Sequence, residues 1–551
     1  MHTGISLFPI ILFLALPPFS QGTGQDTPGP LSSGMRHEYL DDEYITVLRT
    51  EWQTSPAYRF STDRIFTAQV NVTVSGENIL GDAANEPTIA VDPTDPSRMA
   101  ICWRQFDTIY SNFRQAGWGY TTDSGRTWTF PGVIDPGVFR SDPVLDYDAE
   151  GNFFFNSLTS NRVCDVFTST DGGATWGSGT FARGGDKQWM AIDRTTGIGR
   201  GNIYAYWDAR YSTCYPGNFT RSTDGGLSFE DCSVIPEEPY WGVLTVGNDG
   251  ELYVCGASDG NFIVLKSTNA QNPGQTVTWD LSTAVSLGGE IVLGAGPNPS
   301  GLLGQVWIAV DHSSGPNRGN VYLLCSVVPY DSEDPLDVIF SRSTDGGVTW
   351  SPPIRVNDDP GTDAWQWFGT MSVAPDGRID VVWLDTRAEV VQGNGNGYNS
   401  SLYYSCSTDG GVTWSENVRL SEAFNSHVGW PQQEKMGDYF HMISDSTGAH
   451  LAWAATFNGE QDVYYSRISA PGEECRITVT SPDDGEIRCA GESVNITWTS
   501  ENTSGYVKIE YSTDAGFIWQ TVVAGTSDDS THAWTVPASP STSCLVSISD
   551  V

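Results

Sequence analysis

Two patterns of apolar and polar positions recur along the chain, and both predict short β-strands. In the first, an apolar-x-apolar-Asp segment is followed by a Gly or Pro turn and an apolar strand that often ends in Trp-x-Asp. Residues 89–92 followed by 100–103 form one copy, and residues 371–373 followed by 379–385 form another. Seven such units follow one another at intervals of about 45 to 70 residues, a spacing typical of repeat architectures.

The second pattern is the octapeptide Ser/Thr-x-Asp-x-Gly-x-x-Trp/Phe, which predicts a tight turn between two strands. The Gly tolerates a positive φ, the Asp carboxylate accepts hydrogen bonds from the turn, and the Trp packs the hairpin onto its sheet. These Asp residues are therefore predicted to stabilise hairpins rather than to act in catalysis. The copies contain Asp123, Asp171, Asp224, Asp345, Asp409 and Asp514.

Together the two patterns supply four strands to each unit, which is one antiparallel blade, and radial repetition of blades predicts an all-β propeller. Seven blades are favoured, and six remain open if one unit is an elaboration. The seventh unit lacks the octapeptide, and we expect a strand within residues 66–74 to complete it. The propeller is expected to span residues 66–469.

The two ends of the chain predict further segments. The apolar run from Leu7 to Leu16 ends in Pro and small residues, which predicts a signal peptide over residues 1–22 and an N-terminal extension over 23–65. Alternating strands over 474–551 predict an Ig-like or fibronectin type III-like sandwich. The chain stops in a predicted late strand, so a truncated sandwich is also open. The signal peptide predicts secretion, to the extracellular space or the periplasm.

Charge narrows the set of partners. The chain has 67 acidic and 28 basic residues and a net charge of −39, which disfavours nucleic acid. No later apolar run is long enough for membrane insertion, and the oligomeric state is left open. No cofactor is expected. Structural Ca²⁺ at the acidic loops around Asp358 and Asp359 or Asp331 to Asp334 is a second possibility, although no EF-hand spacing is present.

The ten cysteines include no Cys-x-x-Cys pair, which disfavours a zinc site. In an exported protein some of them should pair. Cys214 and Cys232 flank one octapeptide hairpin and are the pair predicted within the large domain. Two of Cys475, Cys489 and Cys544 could pair in the last segment, and the pattern does not choose between them.

The octapeptides resemble the Asp boxes of the sialidase superfamily, and the resemblance covers residues 85–469. It implies a propeller fold. The proteins that this chain resembles include exported ones without demonstrated activity. In catalytic members three Arg hold the substrate carboxylate, a Tyr tuned by a Glu is the nucleophile, and an Asp is the acid/base. The first of those Arg lies in a Phe-Arg-Ile-Pro motif, which this chain lacks; Asp63-Arg64-Ile-Phe is its nearest string.

Loops on the rim opposite the octapeptides are expected to carry function, because a rigid scaffold positions them. They combine Arg, Lys, carboxylates and Trp, which can hydrogen-bond and stack against sugars, so a glycan or cell-surface polymer is the predicted ligand. The sequences around Trp207 and Trp383 are alike. The alternative for their Asp/Arg pairs is therefore a structural one, as ion pairs between blades. The candidate ligand-binding residues are Arg104, Arg140, Arg210, Arg387, Asp208, Asp385, Trp189, Trp241, Trp367, Lys187 and Lys435.

The sequence leaves three functions open. The favoured one is an extracellular glycan-binding propeller without proven catalysis. The second is an exo-sialidase-type glycoside hydrolase. The arginines that hold the substrate carboxylate would come from the four candidate arginines, Asp142 would be the acid/base, and Tyr439 with Glu434 would be the nucleophile pair. The third is an adhesive or scaffold protein in which the C-terminal sandwich acts as a spacer.

Overall fold

The structure is a computed structural model that describes residues 42–258, 260–388, 398–472, 476–482, 485–503, 505–516 and 518–551. In these residues the regular structure is almost entirely β, with two short 3₁₀ turns at Arg49–Glu51 and Ala209–Tyr211 and helical backbone at residues 387–388. The predicted signal peptide, the first part of the predicted extension, and Cys475 lie outside the described residues. Within them, no helix is long and apolar enough to cross a membrane.

Most of the described strands belong to seven antiparallel sheets in which neighbours along the chain pair. Sheet 1 contains Ala83–Val91, Met99–Phe106, Gln115–Thr121 and Thr129–Ile134. Sheet 2 contains Arg140–Tyr147, Phe153–Thr159, Cys164–Ser169 and Thr180–Phe181. Sheet 3 contains Trp189–Ile192, Ile203–Tyr206 and Phe219–Ser222. Sheet 4 contains Leu244–Val246, Leu252–Ser258, Asn261–Ser267 and Leu281–Val285.

The remaining three sheets carry additions to the same plan. Sheet 5 contains Trp307–Val310, Val321–Pro329, Asp337–Ser343 and Ile354–Arg355, with Gly289–Glu290 added. Sheet 6 contains Gln366–Val373, Ile379–Asp385, Asn399–Ser407 and Val418–Arg419, with Phe424–Asn425 added. Sheet 7 contains His441–Asp445, Gly448–Ala455, Asp462–Ser469, Ile65–Gln69 and Arg59–Ser61. Gln53–Pro56 pairs with Glu77–Leu80, and Leu293–Ala295 pairs with Asn298–Leu302.

The first strands of the seven sheets form a ring. Each packs against the first strand of the next sheet, and His441–Asp445 of sheet 7 packs against Ala83–Val91 of sheet 1. A central cavity of about 470 Å³ lies between the first strands of sheets 2 to 7. The architecture is therefore propeller-like, and loops at the strand starts meet around a common axis.

In sheets 1, 2, 5 and 6 the octapeptides form the turns between third and fourth strands, as their sequence predicts, and in sheet 3 the octapeptide follows the third strand. At the sheet 5 turn, the Ser343 hydroxyl donates to Asp345 Oδ1 at 2.8 Å, and the Gly347 N–H donates to the Ser343 hydroxyl at 2.8 Å. The Thr349 N–H and hydroxyl donate to the two oxygens of the Asp345 carboxylate at 2.9 and 2.6 Å. Both oxygens of the Asp345 carboxylate accept hydrogen bonds within the turn, which explains why these Asp residues are structural.

Buried tryptophans recur at the ends of second strands, and the one at Trp383 carries the Trp-x-Asp string. Trp103, Trp207, Trp383 and Trp453 are fully buried. The Trp383 indole N–H donates to Asp385 Oδ2 at 2.8 Å. Without this bond the buried indole nitrogen would lack a hydrogen-bond partner. The Asp of this string is thus part of the packing of its own sheet.

The N-terminal strand Ile65–Gln69 completes sheet 7 by pairing antiparallel with Asp462–Ser469. This is the closure expected from the missing octapeptide of the seventh unit. Arg59–Ser61, which lies within the predicted extension, adds a further strand outside Ile65–Gln69. Because strands from the two ends of the ring share one sheet, the ring opens only if this pairing breaks.

Two buried carboxyl groups lie beside this closure. Asp462 accepts a hydrogen bond from the Asn71 amide at 2.8 Å, and Asp82 accepts one from the Gln105 amide at 2.9 Å. In the described part of the chain, Asp82 Oδ1 is buried without a hydrogen-bond partner. Burial and the neighbouring Asp462 charge raise the pKa of Asp82, and burial raises the pKa of Asp462 to about 7.

The stability that an Asp82→Asn variant gains over the natural protein should be about 1–3 kcal/mol larger at pH 8 than at pH 4. A carboxyl whose folded pKa is raised is protonated in both states below its unfolded pKa of about 4, and stability falls as pH rises from there toward the folded pKa. The amide keeps the Gln105 contact and removes the charge. Urea unfolding at both pH values measures the difference. Exposed Asp231→Asn is the control, and an equal effect of Asp82→Asn at both pH values would contradict the assignment.

The C-terminal strands form two three-stranded sheets. The first contains Arg476–Ser481, Ser493–Glu501 and Thr531–Thr535, and the second contains Tyr506–Ser512, Gln520–Ser527 and Leu545–Asp550. Ile496, Trp498, Val507 and Ile509 are buried between them. The octapeptide at Asp514 forms a turn within the second sheet, so the motif is not restricted to the ring.

Cys214 and Cys232 form a disulfide, which confirms the predicted pair. Cys489 and Cys544 are exposed free thiols in the structure. The other described cysteines, Cys102, Cys164, Cys255, Cys325 and Cys406, are buried free thiols in strands. Burial raises the pKa of Cys102 and Cys255 to about 12, so these thiols behave as packed apolar groups.

Candidate functional site

Irregular backbone at the strand starts turns side chains toward the axis. Glu86, Asp142 and Lys187 have φ of 53°, 47° and 60°, which is uncommon for residues other than Gly. The strand pairing in sheets 1 and 2 shifts register at the first two of these positions. A bulge re-aims a side chain at a small conformational cost, so these residues are candidates for a site built at the mouth of the ring.

The re-aimed residues form a charge cluster, which we define as Glu86, Arg104, Asp142, Lys187, Lys435 and Asp438. Arg104 Nη1 and Lys435 Nζ lie 3.3 and 3.2 Å from Glu86 Oε1. Lys435 Nζ also lies 2.9 Å from Asp438 Oδ2. Lys187 Nζ lies 3.3 Å from Asp142 Oδ2 and contacts Asp438 as well.

Three cations and three carboxylates therefore compensate one another inside the charge cluster. Glu86, Arg104 and Asp142 are fully buried, and only the Lys187 and Lys435 side chains reach the surface, with 14% and 11% exposed. Charges buried in this way must be paired, because each would be costly alone. As folded, the charge cluster has no free guanidinium or ammonium to offer an anion.

Burial and neighbouring charges push the carboxyl pKa values apart. Burial opposes ionisation of Asp438, but the Lys187 and Lys435 ammonium groups outweigh it and hold the pKa of Asp438 well below its usual value. In the same way Lys187 and Arg104 outweigh burial and lower the pKa of Asp142. Burial dominates at Glu86 and raises its pKa to about 7 despite Arg104 and Lys435.

Asp186 adds a protonated neighbour to the charge cluster. Its Oδ1 accepts the Lys187 backbone N–H at 2.9 Å. Burial raises the pKa of Asp186 to about 8, because the Asp142, Asp208 and Asp438 charges add to desolvation and offset Lys187. Near neutral pH the site thus holds protonated and ionised carboxyl groups side by side, the combination that acid/base chemistry uses.

The predicted nucleophile pair is not assembled. The Tyr439 hydroxyl donates to the Pro143 carbonyl at 3.2 Å, while the Glu434 side chain is exposed. Burial and the Glu86 and Asp142 charges raise the pKa of Tyr439 well above its usual value. That direction opposes formation of the phenolate, so the environment of Tyr439 does not activate it.

The four candidate arginines do not converge on one ligand. Arg104 lies in the charge cluster, where its Nη2 also donates to Gln433 at 2.7 Å. Arg140 pairs with Asp165 of its own sheet and with Asp135, which follows the last strand of sheet 1. Arg210 Nη2 lies 2.6 Å from Asp208, and Arg387 Nε lies 2.8 Å from Asp385. These two pairs are local, but Arg387 Nη1 also lies 2.7 Å from Asp358 and so links sheet 6 to the loop after sheet 5.

The three candidate tryptophans are buried, and Trp189 also lines the central cavity. Trp189 packs edge-on against Trp307 and Tyr439, with centroids 5.4 and 5.2 Å apart. Trp241 lies beside the Arg210 guanidinium, and Trp367 donates its indole N–H to the Ser400 hydroxyl at 3.1 Å. Trp241 and Trp367 do not line that cavity, so they support the loops around it by packing and hydrogen bonding.

The structure adds a supporting residue that no local pattern marks. Asn298 belongs to a hairpin before sheet 5, yet its Oδ1 accepts the Met436 N–H at 2.8 Å and its amide donates to the Gly437 carbonyl at 2.9 Å. The Leu302 N–H donates to Asp438 Oδ1 at 2.9 Å. This hairpin holds the loop that carries Lys435 and Asp438, across more than a hundred residues of sequence.

Arginine occupies the acidic loops considered for Ca²⁺. Arg355 lies within 3.4 Å of Asp334, 2.5 Å of Asp337 and 3.0 Å of Asp359. Arg387 lies 2.7 Å from Asp358. These guanidinium groups supply the positive charge a cation would supply. Across the described segments no group of three or more His, Cys, Asp or Glu could hold a metal ion.

Comparison with known proteins gives distant relatives. No family model matches the chain. A xyloglucanase from a Paenibacillus species is 24% identical over 409 residues, which cover 66% of this chain and 36% of the relative. A xyloglucanase of Acetivibrio thermocellus is 24% identical over 529 residues, covering 79% of this chain and 58% of the relative. The chain thus spans about a third to three fifths of these curated relatives.

Solved structures with similar folds are more distant still. A Dyadobacter fermentans protein of unknown function has a TM-score of 0.41 at 13% identity, covering 73% of this chain and 97% of that one. The Trypanosoma rangeli sialidase has a TM-score of 0.36 at 10% identity, with 73% and 59% covered. An α-L-arabinofuranosidase of Fusarium graminearum has a TM-score of 0.31 at 14% identity, with 52% and 93% covered.

Proposed function

We propose that this protein is an exported propeller that binds a neutral polysaccharide. The observation that carries the proposal is charge compensation: the cations of the charge cluster are paired with carboxylates, and the chain as a whole carries −39. Such a surface repels anionic sugars such as sialosides and tolerates uncharged ones. The curated relatives are named xyloglucanases, and xyloglucan is an uncharged polymer.

Three architectural assignments belong to this proposal. The seven sheets are seven blades of one Asp-box propeller, a count supported by the ring of first strands. The two C-terminal sheets are an Ig-like or fibronectin type III-like sandwich. The protein is delivered by its N-terminal signal peptide to the extracellular space or periplasm, which agrees with the Cys214–Cys232 disulfide because such bonds persist in oxidising compartments.

A glycoside hydrolase is the second candidate, and one observation favours it. Glu86 and Asp186, with pKa values raised to about 7 and about 8, lie in the same buried network as ionised Asp142 and Asp438. A protonated and an ionised carboxyl group are the pair that most glycosidases use. Sugar could reach them only if Lys187 and Lys435, which cover the charge cluster, moved aside.

Binding and turnover can be measured on the same sample. We expect the full chain to be retarded in native gels that contain xyloglucan, and not in gels that contain polysialic acid. No release of reducing sugar from xyloglucan and no cleavage of a fluorogenic sialoside are expected. Retardation by polysialic acid alone would overturn the neutral-ligand proposal, and binding to neither polymer would favour a scaffold. Release of reducing ends that is lost in Glu86→Gln would establish the hydrolase.

A further inference from the structure

A side groove lies between sheets 1 and 2, and none of the charge-cluster residues lines it. We define it by Trp118, Arg140, Asp165, Phe167, Trp176 and the segment 177–179, with Asp135 at its edge. Its volume is about 470 Å³, within the roughly 300–1,000 Å³ range of small-molecule sites. Only Arg140 of these residues is predicted from the sequence as a ligand contact.

Aromatic rings form the walls of the side groove. Trp118 is half-buried and donates its indole N–H to the Gly173 carbonyl at 2.9 Å, which fixes its ring at the junction of the two sheets. Trp176 is also half-buried and packs edge-on against Phe155, with centroids 5.4 Å apart. In the described part of the chain, the Trp176 indole N–H is buried without an acceptor.

Small residues keep the side groove open next to Phe167. A Cβ on Gly179 would lie 2.9 Å from the Phe167 ring, so the segment can follow the ring only because this position is Gly. Ser178, the next residue back along the chain, is exposed. The concave shape between Trp118 and Trp176 is therefore encoded by the sequence of this segment.

A planar polar group forms one side of the groove. The Arg140 guanidinium lies 4.9 Å from the Phe167 ring centroid, and its Nη2 lies 2.7 Å from Asp135 and 2.8 Å from Asp165. Two carboxylates around one guanidinium leave a net charge of −1, which disfavours an anion. The carboxylates are partly exposed, with 43% and 23% of their side chains accessible, so their remaining lone pairs can accept hydroxyl hydrogens.

We infer that the side groove binds a sugar unit of a neutral polysaccharide. The inference rests on the proposed function and names its site. A pyranose ring has C–H faces that pack on Trp and a rim of hydroxyl groups that donate to carboxylates, and the side groove supplies both. The uncompensated carboxylate would repel an anionic sugar. A purely apolar ligand would leave the polar groups of Arg140 and Asp165 without hydrogen-bond partners.

The test is isothermal titration of the full chain with xyloglucan heptasaccharide. Trp176→Ala should weaken binding at least tenfold. Trp414→Ala is the matched control, because Trp414 occupies the same octapeptide position in sheet 6, is half-buried, and also has an indole N–H without an acceptor. Binding by Trp414→Ala should stay within twofold of the natural protein.

A second variant guards against loss of packing in Trp176→Ala. Ser178→Trp fills the side groove from an exposed position, removes no buried group, and should also weaken binding at least tenfold. If the natural protein binds and both groove variants bind equally well, the side groove is not the site and the proposed function stands. If the natural protein does not bind the heptasaccharide or xyloglucan, both proposals fail.

Discussion

Replacing Lys187 by Met is expected to destabilise the protein by about 3–5 kcal/mol at pH 7. Asp142 is fully buried, and Lys187 is the ammonium group at 3.3 Å from its carboxylate. The Met side chain fills a similar volume, so the main effect is an uncompensated buried charge rather than a cavity. Chemical unfolding in guanidinium chloride at pH 7 measures the loss.

The pH dependence separates this cause from lost packing. In the natural protein the folded pKa of Asp142 is lowered, so its contribution is present above about pH 4 and is lost as pH falls through the folded pKa. Without Lys187, burial dominates and the folded pKa rises. The variant should then lose stability as pH rises from about 4 to 7, and the difference between the two proteins should shrink toward pH 4.

A surface pair provides the control for this experiment. Arg200 lies 2.7 Å from Glu150, with 41% and 53% of the two side chains exposed. Arg200→Met should cost less than about 1 kcal/mol, because water already solvates both partners. Equal losses in Lys187→Met and Arg200→Met, or a loss in Lys187→Met that does not vary with pH, would contradict the electrostatic reading of the charge cluster.

Replacing Ala68 by Pro is expected to cost about 3 kcal/mol or more by breaking the closure of the ring. Ala68 is buried and has strand neighbours on both sides, opposite Arg59 and Tyr465. Proline removes its N–H and cannot sit in the middle of a sheet. The melting temperature should fall, and amide hydrogens of Asp462–Ser469 should exchange faster in the variant.

The matched proline control is Gln53→Pro. Gln53 is exposed and is the first residue of its strand, where proline is tolerated. Trp52 before it already has the extended backbone that proline requires of its predecessor, with ψ of 129°. Unchanged melting of Ala68→Pro, or an equal fall in both variants, would show that sheet 7 does not depend on the N-terminal strand.

Local sequence patterns predicted much of the fold. The octapeptide specifies a turn because its Asp, Ser and Gly bond to atoms at most four residues away, as Ser343, Asp345 and Gly347 show. The completing strand near residue 66 followed from a missing motif copy, and the Cys214–Cys232 pair followed from its short separation around one hairpin. Short-range chemistry of this kind is legible in one sequence.

The sequence predicted the candidate site only in part. The sequence selected Arg104, Asp142, Lys187 and Lys435 from the rim opposite the octapeptides, and the structure places all four in the charge cluster. It could not indicate that Trp189, Trp241 and Trp367 are buried, because burial depends on which neighbours fill the ring. Nor could it separate Glu434, which is exposed, from Tyr439, which is buried.

The sequence by itself therefore determined the strands, their hairpin turns, the closing strand and one disulfide, since each depends on residues near in sequence or on a repeated motif. Tertiary structure alone decided which charges neutralise one another. Asp142 meets Lys187 from the next sheet, Asp438 meets both lysines, and Asn298 supports their loop. These pairings arise because the ring brings separate strand starts to one axis, and Coulomb energy in a buried site depends on distances that no sequence spacing encodes.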